Sequence, residues 1–262
     1  MFKKAILLIV SLLVVMPFLV SAEGYTGVAK KTFPDGSFIT GDFINGVANG
    51  NGELKSKDGK KIYQGTFVNG QPAGEGVMWF ADGSFIIGFF RDGLANGDGK
   101  LISKSEELIY EGSFVNGQPS GEGMMRLSDG SILKGSFSYG LANGIGILKT
   151  ENGGKPIYEG SFVNGQPSGK GTMSFADGSK IIGEFRNGLA NGVGQQIDRG
   201  QVIYEGLFVN GQPSGRGTMW FTDGSQLIGD FRNGLANGVG SHISKNGAVI
   251  FEGLFVNGQP SK

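Results

Sequence analysis

Cysteine is absent from this chain, which excludes a disulfide framework and any thiolate metal site. Histidine occurs once, at His242, so a histidine-based triad or metal centre would lack partners. Neither sign of charge is in excess, with 23 basic residues against 23 acidic ones. Without a basic surplus there is no electrostatic case for nucleic acid. Past residue 22 no stretch shows a helical hydrophobic period, and the chain offers one long apolar run in all.

That run, Ala5 to Val20, follows Lys3 and Lys4 and precedes Val20-Ser21-Ala22. A charged start, an apolar middle and small residues before Glu23 fit a secretory signal peptide over residues 1–22, cut after Ala22. Pro17 would end a helix near the close of the run. The competing reading is an uncleaved anchor, since about 18 apolar residues can just span a bilayer. No cysteine follows the leader, which excludes a thioether lipid anchor. The expectation is a secreted or periplasmic protein. Losing Lys3 and Lys4 leaves 21 basic against 23 acidic residues, a net charge of −2.

What the chain has in abundance is glycine, 50 residues of it, at fixed offsets. The pattern Tyr-x-Gly-x-Phe-x-Asn-Gly-x-x-x-Gly-x-Gly returns along the sequence. Its phenylalanine falls at Phe43, Phe67, Phe90, Phe114, Phe137, Phe162, Phe185, Phe208, Phe231 and Phe255, every 23 to 25 residues. A fixed period of this length means a stack of one small supersecondary unit, each resting on its neighbours.

The local structure of one unit follows from its residues. In Ile109 to Gly117, alternation puts Tyr110, Gly112 and Phe114 on one face, with Glu111 and Ser113 on the other. Asn116-Gly117 supplies the positive φ angles of a tight reversal. The returning segment alternates again, with Gly121, Gly123, Met125 and Leu127 on one face. Asp129-Gly130-Ser131 turns the chain into the next unit. Strand-interior glycines leave hollows where the rings of neighbouring hairpins can settle. The expected fold is all-β, an elongated single-sheet solenoid of tandem antiparallel β-hairpins with an aromatic ladder on one face. Residues 23–37 read as an N-terminal half-repeat and 38–262 as the array.

The stretch Tyr-Glu-Gly-Ser-Phe-Val-Asn-Gly-Gln-Pro-Ser-Gly-Glu-Gly from Tyr110 to Gly123, with its counterparts from Tyr63, Tyr158 and Tyr204, resembles the MORN repeat (membrane occupation and recognition nexus). The resemblance covers about ten units. It implies a twisted hairpin solenoid with a grooved surface, and a binding rather than a catalytic role. Units alternate between a Phe-Val-Asn-Gly-Gln-Pro type and a Phe-Arg-Asn-Gly-Leu-Ala-Asn-Gly type, so the building block is a pair of hairpins. Length varies at one junction, as at Thr150 to Pro156, which marks a surface loop.

Repetition demotes most chemical motifs to scaffolding. The Asp-Gly-Ser tripeptides at Asp35, Asp82, Asp129, Asp177 and Asp223 read as turns, and the Gly-x-Gly elements open no helix that could present its N-terminus to a phosphate. No catalytic residue, metal or cofactor is expected. Trp79 and Trp220 hold one repeat position, on the face opposite the packed one, and are the candidate binding residues, for a protein, lipid or carbohydrate. Arg91, Arg186 and Arg232 form a spaced row at one hairpin end. Two functional classes remain open: a scaffold for an unidentified protein partner, and a peripheral membrane binder contacting lipid. The half-repeats at Val28–Ser37 and Ile250–Ser261 also suggest head-to-tail self-association.

Overall fold

The computed structural model describes residues 24–151 and 154–261; the leader read from residues 1–22 lies outside them. The chain divides into two compact units, one running to Leu141 and one from Ala142. The first holds β1 (Gly27–Thr32), β2 (Phe38–Ile44), β3 (Val47–Lys55), β4 (Lys61–Val68), β5 (Gln71–Trp79), β6 (Phe85–Arg91), β7 (Leu94–Ile102), β8 (Leu108–Val115), β9 (Gln118–Arg126) and β10 (Ile132–Ser138). The second takes in β11 (Leu141–Lys149, whose first residue closes the first unit), β12 (Pro156–Val163), β13 (Gln166–Ser174), β14 (Lys180–Arg186), β15 (Leu189–Asp198), β16 (Gln201–Val209), β17 (Gln212–Trp220), β18 (Gln226–Arg232), β19 (Leu235–Ile243), β20 (Val249–Val256) and the two-residue β21 (Gln259–Pro260). Within each unit every strand pairs antiparallel with its neighbours in sequence. The described residues contain no α-helix. The all-β array of tandem hairpins is therefore what the sequence folds into.

The hairpin tips form as their residues demand. Val115 pairs with Gln118 across Asn116 (φ 49°) and Gly117 (φ 79°), a two-residue turn with both φ positive. At the other tips on this edge Asn or Asp takes the first turn position, except at Tyr139 (φ 51°). At the opposite edge Asp-Gly-Ser closes a longer turn. In one such turn the Ser84 N–H and hydroxyl both donate to Asp82 Oδ1, at 2.9 and 2.6 Å.

The core is the aromatic face that alternation implies. Tyr63, Tyr110 and Tyr204 are wholly buried, and Phe67, Phe114, Phe162 and Phe208 nearly so. Each tyrosine bridges two hairpins. The Tyr63 ring meets Phe67 of its own hairpin edge-on at 5.2 Å and Phe90 of the next at 5.1 Å. Tyr110, Tyr158 and Tyr204 repeat the arrangement. Burying a ring of 150–250 Å² contributes about 4–6 kcal/mol at 25 cal/mol/Å². The buried hydroxyls are satisfied: Tyr63 donates to the Thr66 carbonyl at 3.1 Å, and Tyr110 to that of Ser113 at 3.0 Å.

Two features differ from the sequence expectation. The glycine hollow of a Tyr-type hairpin is filled by that hairpin's own ring: a Cβ on Gly65 would stand 2.6 Å from the Tyr63 hydroxyl and 2.5 Å from the Glu75 carbonyl. Only in the hairpins that open with Ile or Leu does the next unit's ring enter, as Phe114 does over Gly99 (3.3 Å). The reason is reach, since a branched side chain at Ile86 cannot cover the glycines that Tyr63 covers. The second difference is a register shift between Gly112 and Phe114, which pairs Phe114 with Pro119. Its equivalents pair Phe67 with Pro72 and Phe90 with Ala95. These prolines and alanines are buried core residues. Their carbonyls accept the turn N–H of the following hairpin, Gly93 to Pro72 at 3.0 Å and Gly117 to Ala95 at 2.8 Å.

Candidate interaction surface

With one face of each sheet given to the core, the other carries the residues free to meet a partner. Trp79 lies on that open face at the end of β5, half-buried, opposite Phe85 of β6 with ring centroids 6.4 Å apart. One step along the same strands Val77 faces Ile87, and a further step on Glu75 faces Phe89. Ile87 and Phe89 are 43% and 48% exposed. Trp79, Phe85, Val77, Ile87 and Phe89 make an apolar patch across two strands. Its border is charged. Lys61 Nζ sits 5.4 Å over the Trp79 ring and 3.2 Å from Glu53, which Lys55 also reaches at 2.7 Å. The Lys55 ammonium, and then Lys61, hold the Glu53 carboxyl below its usual range, against the opposing effect of burial. On the other side Lys100 pairs with Glu111 at 2.9 Å. Ion pairs as open to solvent as Lys100–Glu111 add little stability, and the pairs together form a polar rim.

Trp220 takes the equivalent place in the second unit, also half-buried, but faces Gln226. Its neighbouring cross-strand pairs are Thr218–Ile228 and Arg216–Asp230. The two tryptophans thus share a repeat position and not a setting. Arg91, Arg186 and Arg232 are exposed at the hairpin tips, each paired across the turn with a leucine.

The remaining chemical candidates lie at turn and core positions of the repeat. The aspartates of the Asp-Gly-Ser turns are held below the usual carboxylate range by the serine hydroxyl and N–H they accept. His242 Nε2 lies 3.0 Å from Ser225 Oγ, its ring edge-on to Phe221 at 5.5 Å. Burial pushes the hydroxyls of Tyr63, Tyr110 and Tyr158 up to about 12, and that of Tyr204 in the same direction. Among the described residues no three of His, Asp and Glu gather as a metal ion would require. Sequence reasoning passed over Phe85, Ile87 and Phe89, whose grouping depends on cross-strand register. It also passed over Tyr139, 84% exposed and in a left-handed turn position that suits asparagine. The signal for Tyr139 was available, since it breaks the Asn/Asp rule of the other tips.

Comparison with known proteins agrees with the repeat. The family model described as MORN repeat matches eight segments: residues 40–61, 63–85, 110–132, 134–155, 158–180, 182–198, 204–226 and 228–249. No curated protein matches the sequence. A solved structure of a catalytically inactive virginiamycin B lyase from Staphylococcus aureus with quinupristin aligns over 88% of this chain and 71% of its own, at 15% identity and a TM-score of 0.17. That score carries no argument about fold or activity.

Proposed function

From the premise that the chain belongs to the MORN-repeat family, we propose that it is a non-catalytic scaffold that binds another protein along the open face of its hairpins, in the cell envelope or outside the cell. MORN repeats are generally protein- or lipid-binding repeats. The observation that carries the reading is the patch of Trp79, Phe85, Ile87 and Phe89 on a face the core does not use, with Ile87 and Phe89 exposed, Trp79 and Phe85 half-buried, and ion pairs at its rim. An aromatic centre with a polar border is the anatomy of a protein-binding hot spot. The location rests on the leader over residues 1–22 and its cut after Ala22. The array is taken as about ten units, because the unmatched hairpin at Phe90 keeps the Phe90–Ala95 pairing of the matched ones.

A second reading, a peripheral lipid binder, draws on Lys55 and Lys61 beside Trp79. Against it stand the net charge of −2 after the leader and the acidic residues Glu75, Asp98 and Glu122 on the same face, since anionic lipid calls for a basic cluster. One experiment separates them. Mature protein and its Trp79→Ala/Phe89→Ala variant are used for capture from envelope extract and for co-sedimentation with neutral and anionic liposomes. Protein capture that the variant loses, without liposome binding, supports the scaffold. Liposome binding lost in the variant supports the second reading, and failure of both arms overturns both.

A further inference from the structure

The open face of the second unit has a pattern of its own. The residue between the two glycines of one strand pairs with the residue before the phenylalanine, or its counterpart, on the next. In chain order these pairs are Lys170–Glu184, Val193–Leu207, Arg216–Asp230 and Val239–Leu254, preceded by Ile145–Ser161. Apolar and charged pairs therefore alternate every two strands. The apolar members are open to solvent, Val193 at 62% and Val239 at 67%. The four charged residues are exposed as well. Among the described residues, the ion pairs closed within the chain lie elsewhere, at Glu53 and at Lys100–Glu111.

This row is self-complementary. A two-fold axis parallel to the strands, passing between β15 and β16, reverses the strand order and brings the open face of one copy onto that of another. Val193 then meets Leu207 of the second copy, and each Leu207 meets the other Val193. Glu184 meets Arg216, and Lys170 meets Asp230, so every charge faces its opposite. The next row obeys the same symmetry, with Gln195 facing Glu205, Ile182 facing Thr218 and Thr172 facing Ile228. In the third row Ile197 faces Val202 and Lys180 faces the Trp220 ring, a cation–π arrangement. No like charges meet in these rows.

We propose that two copies of this chain pair face to face through the open face of the second unit about this axis. The occupant is fixed by charge complementarity: a partner matching Lys, Glu, apolar, Arg, Asp in that order is this same surface reversed. Contact between the same patch on both copies is the isologous arrangement of a two-fold dimer. The nine inter-strand steps from β11 to β20 span about 43 Å. Three rows give a width of roughly 15 Å, so each partner covers about 600–700 Å², close to the ~800 Å² of a standard interface. Facing sheets cross at about 30°, which concentrates contact near the axis, at Val193, Leu207, Glu184 and Arg216.

The test is sedimentation equilibrium of the mature chain over a concentration series, for wild type, Glu184→Arg, Arg216→Glu and the double swap. Wild type should reach twice its monomer mass. Each single reversal sets like charges together at two symmetric places and should weaken association at least about tenfold. The double swap should restore it. Restoration cannot arise within one chain, because β14 and β17 are three strands apart, about 14 Å. Both positions are exposed, and unchanged circular dichroism spectra confirm folding. A monomeric wild type overturns the proposal, as do single reversals that associate like wild type or a swap that fails to recover.

Discussion

The two units are built on one core and part company on the face that looks away from it. Tyr110 with Phe114 and Phe137 in the first is matched, within 0.1 Å in centroid distance, by Tyr158 with Phe162 and Phe185 in the second. On the open face the equivalent cross-strand pairs are Asn51–Thr66, Glu75–Phe89, Asp98–Ser113 and Glu122–Ser136 in the first unit. In the second they are Lys170–Glu184, Val193–Leu207, Arg216–Asp230 and Val239–Leu254. The first unit locks this row internally, as where the Ser113 hydroxyl donates to Asp98 at 2.7 Å, and its ionised members are all acidic. The second leaves aliphatics and balanced charge exposed. Packing tolerates one solution at Tyr110 or Tyr158, where a ring must fit over glycine, whereas the outward residue between two glycines touches nothing that fixes its type. A repeat protein can therefore hold its fold constant while giving each region its own binding chemistry.

The largest effects should be the same in both regions. Phe114→Ala and Phe162→Ala should each cost about 3–5 kcal/mol, the range for a buried phenylalanine, read as denaturation midpoints. A much smaller loss at one of them would break the equivalence of the two cores. Alkaline pH should act next, and on both together. The core tyrosines have folded pKa values raised by burial, to about 12 for Tyr63, Tyr110 and Tyr158, above the ordinary value of 10. Folding therefore holds the proton, and the stability this gives is complete below about pH 10 and lost as pH rises through about 12. Unfolding midpoints followed alongside phenolate absorbance should fall together in that window; midpoints flat to pH 12 would contradict the burial of these hydroxyls.

Smaller effects sharpen the contrast at single residues. Tyr139→Asn places the residue of the other tips in the left-handed turn position and should raise stability by about 1 kcal/mol. A loss would show that the exposed ring is held by contacts of its own. Lys155→Ala, in a loop of variable length, should change stability by less than about 0.5 kcal/mol.

The hairpins were legible because their causes are local. Alternation at Tyr110, Gly112 and Phe114 and the Asn116-Gly117 turn need only neighbours in sequence. Pro119 escaped notice as a core residue because a register shift of the strand ladder sets it against Phe114, and a shift leaves no mark in composition. The hollow at Gly65 was legible as a hollow, but which ring fills it depends on side-chain reach. Trp79 stood out by rarity, while Phe85, Ile87 and Phe89 became a patch only through pairing across β5 and β6. The row from Lys170 to Leu254 is likewise scattered in sequence and ordered only by register.

The hydrogen bond from each tip glycine from Gly70 onward to the proline or alanine carbonyl of the hairpin before it gives the stack a mechanical grain. Every hairpin latches its predecessor, so under tension a unit gives way one latch at a time from the side whose tip carries no later one. Extension would then proceed in even steps of about one repeat, and a tethered chain would lengthen by yielding hairpins in turn while those still latched keep their shape.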